Sequence, residues 1–290
     1  MLQLTSTITE NATIEIGLRD IEVPKPGADE VLIEVKASPI NPSDLGTLVG
    51  AGDLTSIRVE GEGDHAKVIM DIPESVMWAM KPRIGKPLPV GNEGSGIVTE
   101  AGENAKHLIG KVVSAVGGGM YAQYRVLPAM ACIEMPDDIE PKDCASSFVN
   151  PLTALGMVET MKSEGHSALI HTAAASNLGQ MLVKICLADN IPLINIVRKP
   201  EQVDLLKSLG AEYVCNSSDD NFKDSLVEAI KATNATLAFD ATGGGELSGR
   251  ILSCMEIAMR ANMKEFSPYG SPQHKQVYIY GALNQSGISL

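Results

Sequence analysis

The sequence predicts an α/β protein in two parts, a compact β barrel over residues 1–149 and a doubly wound parallel sheet over residues 150–290. Three observations carry this. Up to about residue 150 the chain is punctuated by Pro and Gly and holds short β-rich runs, the pattern of strands joined by turns. Beyond about Asn150, strands apolar on both faces alternate with amphipathic helices, which calls for a parallel sheet covered on both sides. A chain of 290 residues is also long enough for two domains.

In the first part Val31–Val35, Gly96–Val98, Lys111–Val113 and Tyr121–Val126 read as barrel strands. The stretch from Asp53 to Leu88 has mixed signals and reads as an elaborated loop, with the single tryptophan, Trp78, on a short helix. In the second part the strands are Ala168–His171, Pro192–Val197, Tyr213–Val214, Ala235–Phe239 and Gln276–Tyr280. Helices follow from about Leu178, over Glu201–Leu209 closed by Gly210, over Asn221–Lys231 and near Leu247–Met259. No internal repeat or low-complexity tract is present.

Composition narrows the partners. With 23 Lys and Arg against 36 Asp and Glu the formal charge is -13, which repels nucleic-acid phosphates and anionic lipid over most of the surface. The five cysteines, Cys132, Cys144, Cys186, Cys215 and Cys254, stand singly without a CxxC pair and read as buried small hydrophobes in a reducing compartment. The N-terminus lacks a basic-then-apolar signal, and no run approaches the roughly 20 apolar residues of a membrane span. A cytoplasmic protein with a small-molecule substrate, no nucleic acid and no membrane is expected.

The first strand of the second part ends at His171 and leads through small residues, Thr172 to Ser176, straight into a helix. Small side chains there let the backbone approach a pyrophosphate, while free N–H groups and the helix dipole stabilise its charge. Ala173, Ser176 and Gly179 occupy the three positions of the usual glycine fingerprint; a plain packing turn is the open alternative. The next strand ends in Arg198 and Lys199, roughly 20 residues on, where an NAD site puts an acidic residue on the ribose hydroxyls. A cationic pair suits a 2'-phosphate, hence NADPH; alternatively the pair opens a solvated loop before Pro200. Gly243–Gly245 and Gly281 lie at further strand ends, where such a sheet gathers ligands.

Eight segments in order, VLIEVKASPINPSDL, GNEGSGIV, YAQYRVLPA, NPLTAL, LIHTAAASNLGQMLVKI, LLKSLGAEYV, AFDATGGG and VYIYGAL, resemble the medium-chain dehydrogenase/reductase family, in its zinc-independent quinone oxidoreductase and enoyl reductase branch. The resemblance implies a GroES-like barrel followed by a Rossmann domain, with cofactor and substrate in the cleft between them. It places Asn41 and Thr153 beside the nicotinamide, Thr153 bonding its carboxamide, and Ala174, Ser176, Asn177, Leu178 and Gly179 around the pyrophosphate. Arg198, with Lys199 and Ser217, would hold the 2'-phosphate, and Gly281 would pass the nicotinamide end.

The zinc-dependent branch has Cys where Asn41 stands, His where Asn92 stands, and a lobe of four close cysteines that is missing here. Amides are poor Zn²⁺ ligands and Glu93 alone makes no site, so no metal is expected. The implied activity is NADPH-dependent reduction of a quinone or conjugated enone by hydride transfer. Enoyl-thioester reductases place a tyrosine proton donor shortly after the NPSDL-type segment, and Gly46 to Ile57 contains none, which leaves Asn41 and Tyr121 as catalytic candidates. The five histidines form no triad, and His171 reads as packed beside the cofactor turn. An enoyl-thioester (CoA or acyl-carrier) reductase and a non-catalytic NADPH-binding protein are the alternatives. The resemblance also implies a homodimer paired along Gln276–Tyr280, and a family chain that continues past VYIYGAL, so a missing C-terminal completion is expected.

Overall fold

The computed structural model of the chain describes residues 1–289. They form two compact units, Met1–Val149 and the described residues from Asn150 onward.

The first unit begins with a hairpin, β1 (Leu2–Ile8) and β2 (Thr13–Asp20), paired from Leu2 opposite Asp20 to Ile8 opposite Ile14. There follow β3 (Glu30–Ala37), α1 (Pro42–Val49), β4 (Arg58–Glu60), β5 (Lys67–Asp71), α2 (Glu74–Met80), β6 (Leu88–Pro89), β7 (Glu93–Ala101), β8 (Val112–Val116), β9 (Tyr124–Pro128), β10 (Cys132–Glu134) and α3 (Pro141–Cys144). Two five-stranded sheets result, in the orders β4-β5-β2-β1-β6 and β10-β8-β7-β3-β9, tied by a bridge between Gln3 and Ala122. Inward residues of the second sheet, among them Val31, Ile33, Val98, Val113 and Leu127, make one core; Ile8, Ile14, Met70 and Ile72 make a smaller one under the first. Burying such side chains, at about 1.5–3 kcal/mol each, is what holds these short strands.

Two expectations are corrected here. The stretch from Asp53 to Leu88 is no loop: β5 pairs with β2, Met70 facing Ile14, and β4 extends that sheet. The strand pattern is hidden because β4 is exposed at every position and β5 buries Ile69 and Met70 side by side, so neither alternates. The strand expected from Tyr121 starts at Tyr124. Before it the backbone is spent elsewhere, Tyr121 N–H on the Val90 carbonyl and Gln123 N–H on that of Leu2.

The second unit runs α4 (Val149–Ser163), β11 (Leu169–His171), α5 (Asn177–Ala188), β12 (Leu193–Val197), α6 (Pro200–Ser208), β13 (Tyr213–Asn216), α7 (Phe222–Thr233), β14 (Leu237–Asp240), β15 (Gly243–Gly245), α8 (Leu247–Ala261), β16 (Gln276–Ile279) and β17 (Asn284–Ile288). Its sheet is parallel throughout, in the order β13-β12-β11-β14-β16, and β15 pairs with β17 separately. All five residues of β12 are buried because successive side chains serve two cores. Ile170, Ile194 and Ile196 pack with Phe222, Leu226 and Ile251 from α7 and α8; Leu169, Leu193 and Val197 pack with Val158, Leu182 and Leu206 from α4, α5 and α6. No helix among the described residues is long and apolar enough to cross a membrane.

Candidate functional site

Strand order reverses between β11, whose chain passes on to β12, and β14 on its other side. At such a switch point the carboxyl ends of the strands leave a crevice for a ligand. The turn leaving β11 is shaped accordingly. Ala173 takes a left-handed conformation, φ 50°, where the usual fingerprint spends a glycine. Ala174 turns its side chain into the core and donates its N–H to the Ile196 carbonyl at 3.2 Å. Ser176 caps α5, its hydroxyl accepting from Gly179 N at 3.2 Å. A Cβ on Gly179 would run into the Ala174 carbonyl oxygen, so only glycine lets the helix start this close to the strand. Asn177 and Leu178 open the helix, where no carbonyl of the helix itself can satisfy their N–H groups. Those donors and the positive end of the helix make a cradle that fits a pyrophosphate.

The end of β14 locks this crevice. Buried Asp240 accepts from Thr172 Oγ1 at 2.6 Å, Ser248 Oγ at 2.6 Å and Thr242 N at 2.8 Å, while Thr172 Oγ1 accepts from Ala241 N. Burial pushes this carboxyl up, and the hydrogen bonds from Ser248, Thr172 and Thr242 outweigh it, so it titrates below the ordinary range. Next to it His171 is wholly buried, its Nε2 2.7 Å from the Tyr280 hydroxyl. Burial holds His171 down to about 4, against the field of Asp240, so it is neutral at physiological pH.

Beyond β12, Arg198 and Lys199 are exposed, and neither side chain makes an ion pair among the described residues. Arg198 is held by its backbone: N–H to Gln202 Oε1 at 3.0 Å, carbonyl from Ser218 Oγ at 3.0 Å. Ser217 donates its hydroxyl to the Val197 carbonyl at 3.0 Å. Gly281 lies against the Ala241 carbonyl too closely for a Cβ. Thr153 is half-buried on α4.

In the first unit Asn41 and Glu93 are buried in a polar knot. Asn41 Nδ2 donates to Glu93 Oε1 at 3.0 Å, and the N–H groups of Phe148 and Val149 take Glu93 Oε2 at 2.8 and 2.9 Å. Buried Asp44 accepts from Asn41 N at 2.8 Å and Asn92 N at 2.9 Å. Tyr121 donates its hydroxyl to the Pro39 carbonyl at 2.9 Å, and burial, with Asp44 nearby, pushes it well up. No group of three or more His, Cys, Asp or Glu among the described residues could hold a metal.

The alcohol dehydrogenase GroES-like domain family matches residues 27–137 and the zinc-binding dehydrogenase family residues 178–263, one in each unit. The chain belongs to the medium-chain dehydrogenase/reductase family. Within it, a Mesorhizobium loti protein assigned as an NADPH:quinone reductase is 28% identical, with a TM-score of 0.70 over 100% of this chain and 76% of its own. Escherichia coli quinone oxidoreductase shares the fold at 19% identity, TM-score 0.64, over 88% and 70%. The human mitochondrial enoyl-[acyl-carrier-protein] reductase is 28% identical over 70% of this chain and 49% of its own length, and mouse prostaglandin reductase-3 is 28% identical over 68% and 45%. The chain spans 51% and 60% of the first curated relatives that this medium-chain dehydrogenase/reductase matches.

Of the expected positions, Ala174, Ser176, Asn177, Leu178, Gly179, Arg198, Lys199, Ser217 and Gly281 lie at the carboxyl end of one sheet, whereas Asn41 and Tyr121 belong to the other unit. Sequence reasoning missed the Thr172–Asp240–Ser248 lock and the His171–Tyr280 pair. A carboxylate ending the apolar run LAFD was a usable signal for the first; nothing local marks the second.

Proposed function

We propose that this chain is an NADPH-binding oxidoreductase that reduces a quinone or conjugated enone by hydride transfer without zinc. The observation that carries it is the unpaired, exposed Arg198–Lys199 pair one strand along from the α5 cradle, where a 2'-phosphate needs positive charge. The nicotinamide supplies the hydride when bound. Asn177 and Leu178 N–H groups take the pyrophosphate, and Arg198 and Lys199 take the 2'-phosphate, joined by Ser217 once its hydroxyl turns from Val197. Thr153 and Gly281 serve the nicotinamide end. The zinc-free reading is supported at Asn41, whose amide nitrogen is a donor to Glu93, while both Glu93 oxygens are already taken. The Mesorhizobium loti relative's assignment points the same way.

A second reading, reduction of an enoyl thioester, is favoured by the mitochondrial enoyl-[acyl-carrier-protein] reductases, 25 to 28% identical. One assay separates the readings: NADPH oxidation against quinones, enones and an enoyl-CoA. Turnover of quinones and enones alone supports the first and of the thioester the second; coenzyme binding without turnover makes this a non-catalytic NADPH-binding protein. A homodimer through the free edge of β16 belongs to the same proposal, checked by light scattering. So does a cytoplasmic location, in keeping with five free cysteines.

A further inference from the structure

Hydride addition to a conjugated carbonyl leaves negative charge on oxygen, and something must protonate it. Tyr121 has committed its hydroxyl to the Pro39 carbonyl, and Tyr278 has committed its own to Glu164. Tyr280 is placed differently. It follows β16 at the carboxyl end of the parallel sheet, stacked on His171 with ring centroids 6.0 Å apart and planes 17° from parallel. His171 is 0% exposed and Tyr280 41%, so the imidazole is a dry anchor and the tyrosine beside it is only partly buried.

The imidazole decides which way the hydroxyl points. His171 Nδ1 is buried with no hydrogen-bond partner among the described residues, while Nε2 is 2.7 Å from Tyr280 Oη. A neutral imidazole has one proton to place. Put on Nδ1, it would be an orphaned buried N–H, a rarer defect than an orphaned lone pair. It therefore sits on Nε2 and is donated to Tyr280 Oη. The tyrosine oxygen is an acceptor toward His171, and its own O–H is left to point away from the ring.

We propose that Tyr280 is the proton donor of the reduction and that His171 is the positioning residue that frees and aims its hydroxyl; this rests on the reductase function proposed above. The hydride adds to the β-carbon with its electron pair, the alkene pair becomes the new double bond between the α-carbon and the carbonyl carbon, and the carbonyl π pair moves onto oxygen. The Tyr280 O–H bond breaks, its proton forms the new O–H on that oxygen, and its electron pair stays on the tyrosine as a phenolate held by His171 Nε2–H. The enol formed on protonation then returns to the saturated ketone. Solvent water returns the proton, so each turnover consumes one NADPH and one proton and releases NADP⁺ and the reduced substrate.

The test has two readouts. In protein labelled with ¹⁵N-histidine, the His171 ring should show a protonated Nε2 and a bare Nδ1; a protonated Nδ1 overturns the proposal irrespective of turnover. In Tyr280→Phe, with folding checked by circular dichroism, enone turnover should fall by about 10²-fold or more, the usual contribution of a general acid, while NADPH affinity stays within about twofold. Unchanged turnover in Y280F overturns the proposal and leaves the reductase reading standing. A wild-type protein that binds NADPH but reduces nothing overturns both.

Discussion

Arg198→Ala isolates the charge on which the coenzyme assignment depends. The side chain has no ionic partner among the described residues, and its backbone bonds to Gln202 and Ser218 survive the substitution, so folding stability should move by less than about 0.5 kcal/mol. Binding should not be so indifferent. Two unit charges about 4 Å apart attract by about 1 kcal/mol in water and about 4 kcal/mol at an effective dielectric near 20. Arg198 is exposed, which puts the effect toward the lower end, about 1.5–2 kcal/mol, or a 10- to 30-fold weaker NADPH complex. NADH, lacking the phosphate, should bind as before, and the difference should shrink with salt over a Debye length of about 10 Å at 0.1 M. Calorimetric titration of both coenzymes into wild type and R198A measures this. Equal affinities in the wild type, with neither altered by the substitution, refute the reasoning.

Three further outcomes follow from the geometry. Gly179→Ala should cost about 1–3 kcal/mol by forcing α5 off the Ala174 carbonyl, and should weaken NADPH with it; urea denaturation and coenzyme titration read the two effects, and an unchanged variant contradicts the close approach. His171 sets an acid limit: unfolded it takes a proton near 6.5, folded only near 4, so stability is whole above 6.5 and falls as pH drops between these values. The full loss is on the order of 3 kcal/mol, and urea midpoints at a series of pH values should show it vanish in His171→Leu. Tyr121→Phe should lose about 1 kcal/mol of stability, the worth of its bond to the Pro39 carbonyl, with turnover changed less than twofold; a tenfold loss in a folded variant would return Tyr121 to the role of proton donor.

Much of the second unit was legible because its signals are local. A strand buried on both faces has to be an unbroken apolar run such as LINIV, and the helices between such runs carry their own stops, so the expected bounds fall within a few residues of those observed. The cradle was legible for the same reason: small residues between a strand and a helix, then a cationic pair after the next strand, are read without knowing what packs where. The first unit was harder. Its opening hairpin went unread, and β4 and β5 passed for a loop, since a three-residue exposed strand becomes a strand only when β5 lies beside it.

What the sequence by itself determined is the alternation of strand and helix beyond about Asn150, the two-part division of texture and the chemistry available at each strand end it could read. Only the tertiary structure decided which side chains share those ends. Glu93 meets the N–H groups of Phe148 and Val149, Asp240 gathers Thr172 and Ser248, and His171 faces Tyr280, 109 residues along the chain. Hydrogen bonds reach about 3 Å and leave no periodic trace, so partners this far apart come together only when packing of the apolar core fixes the register of the strands that carry them.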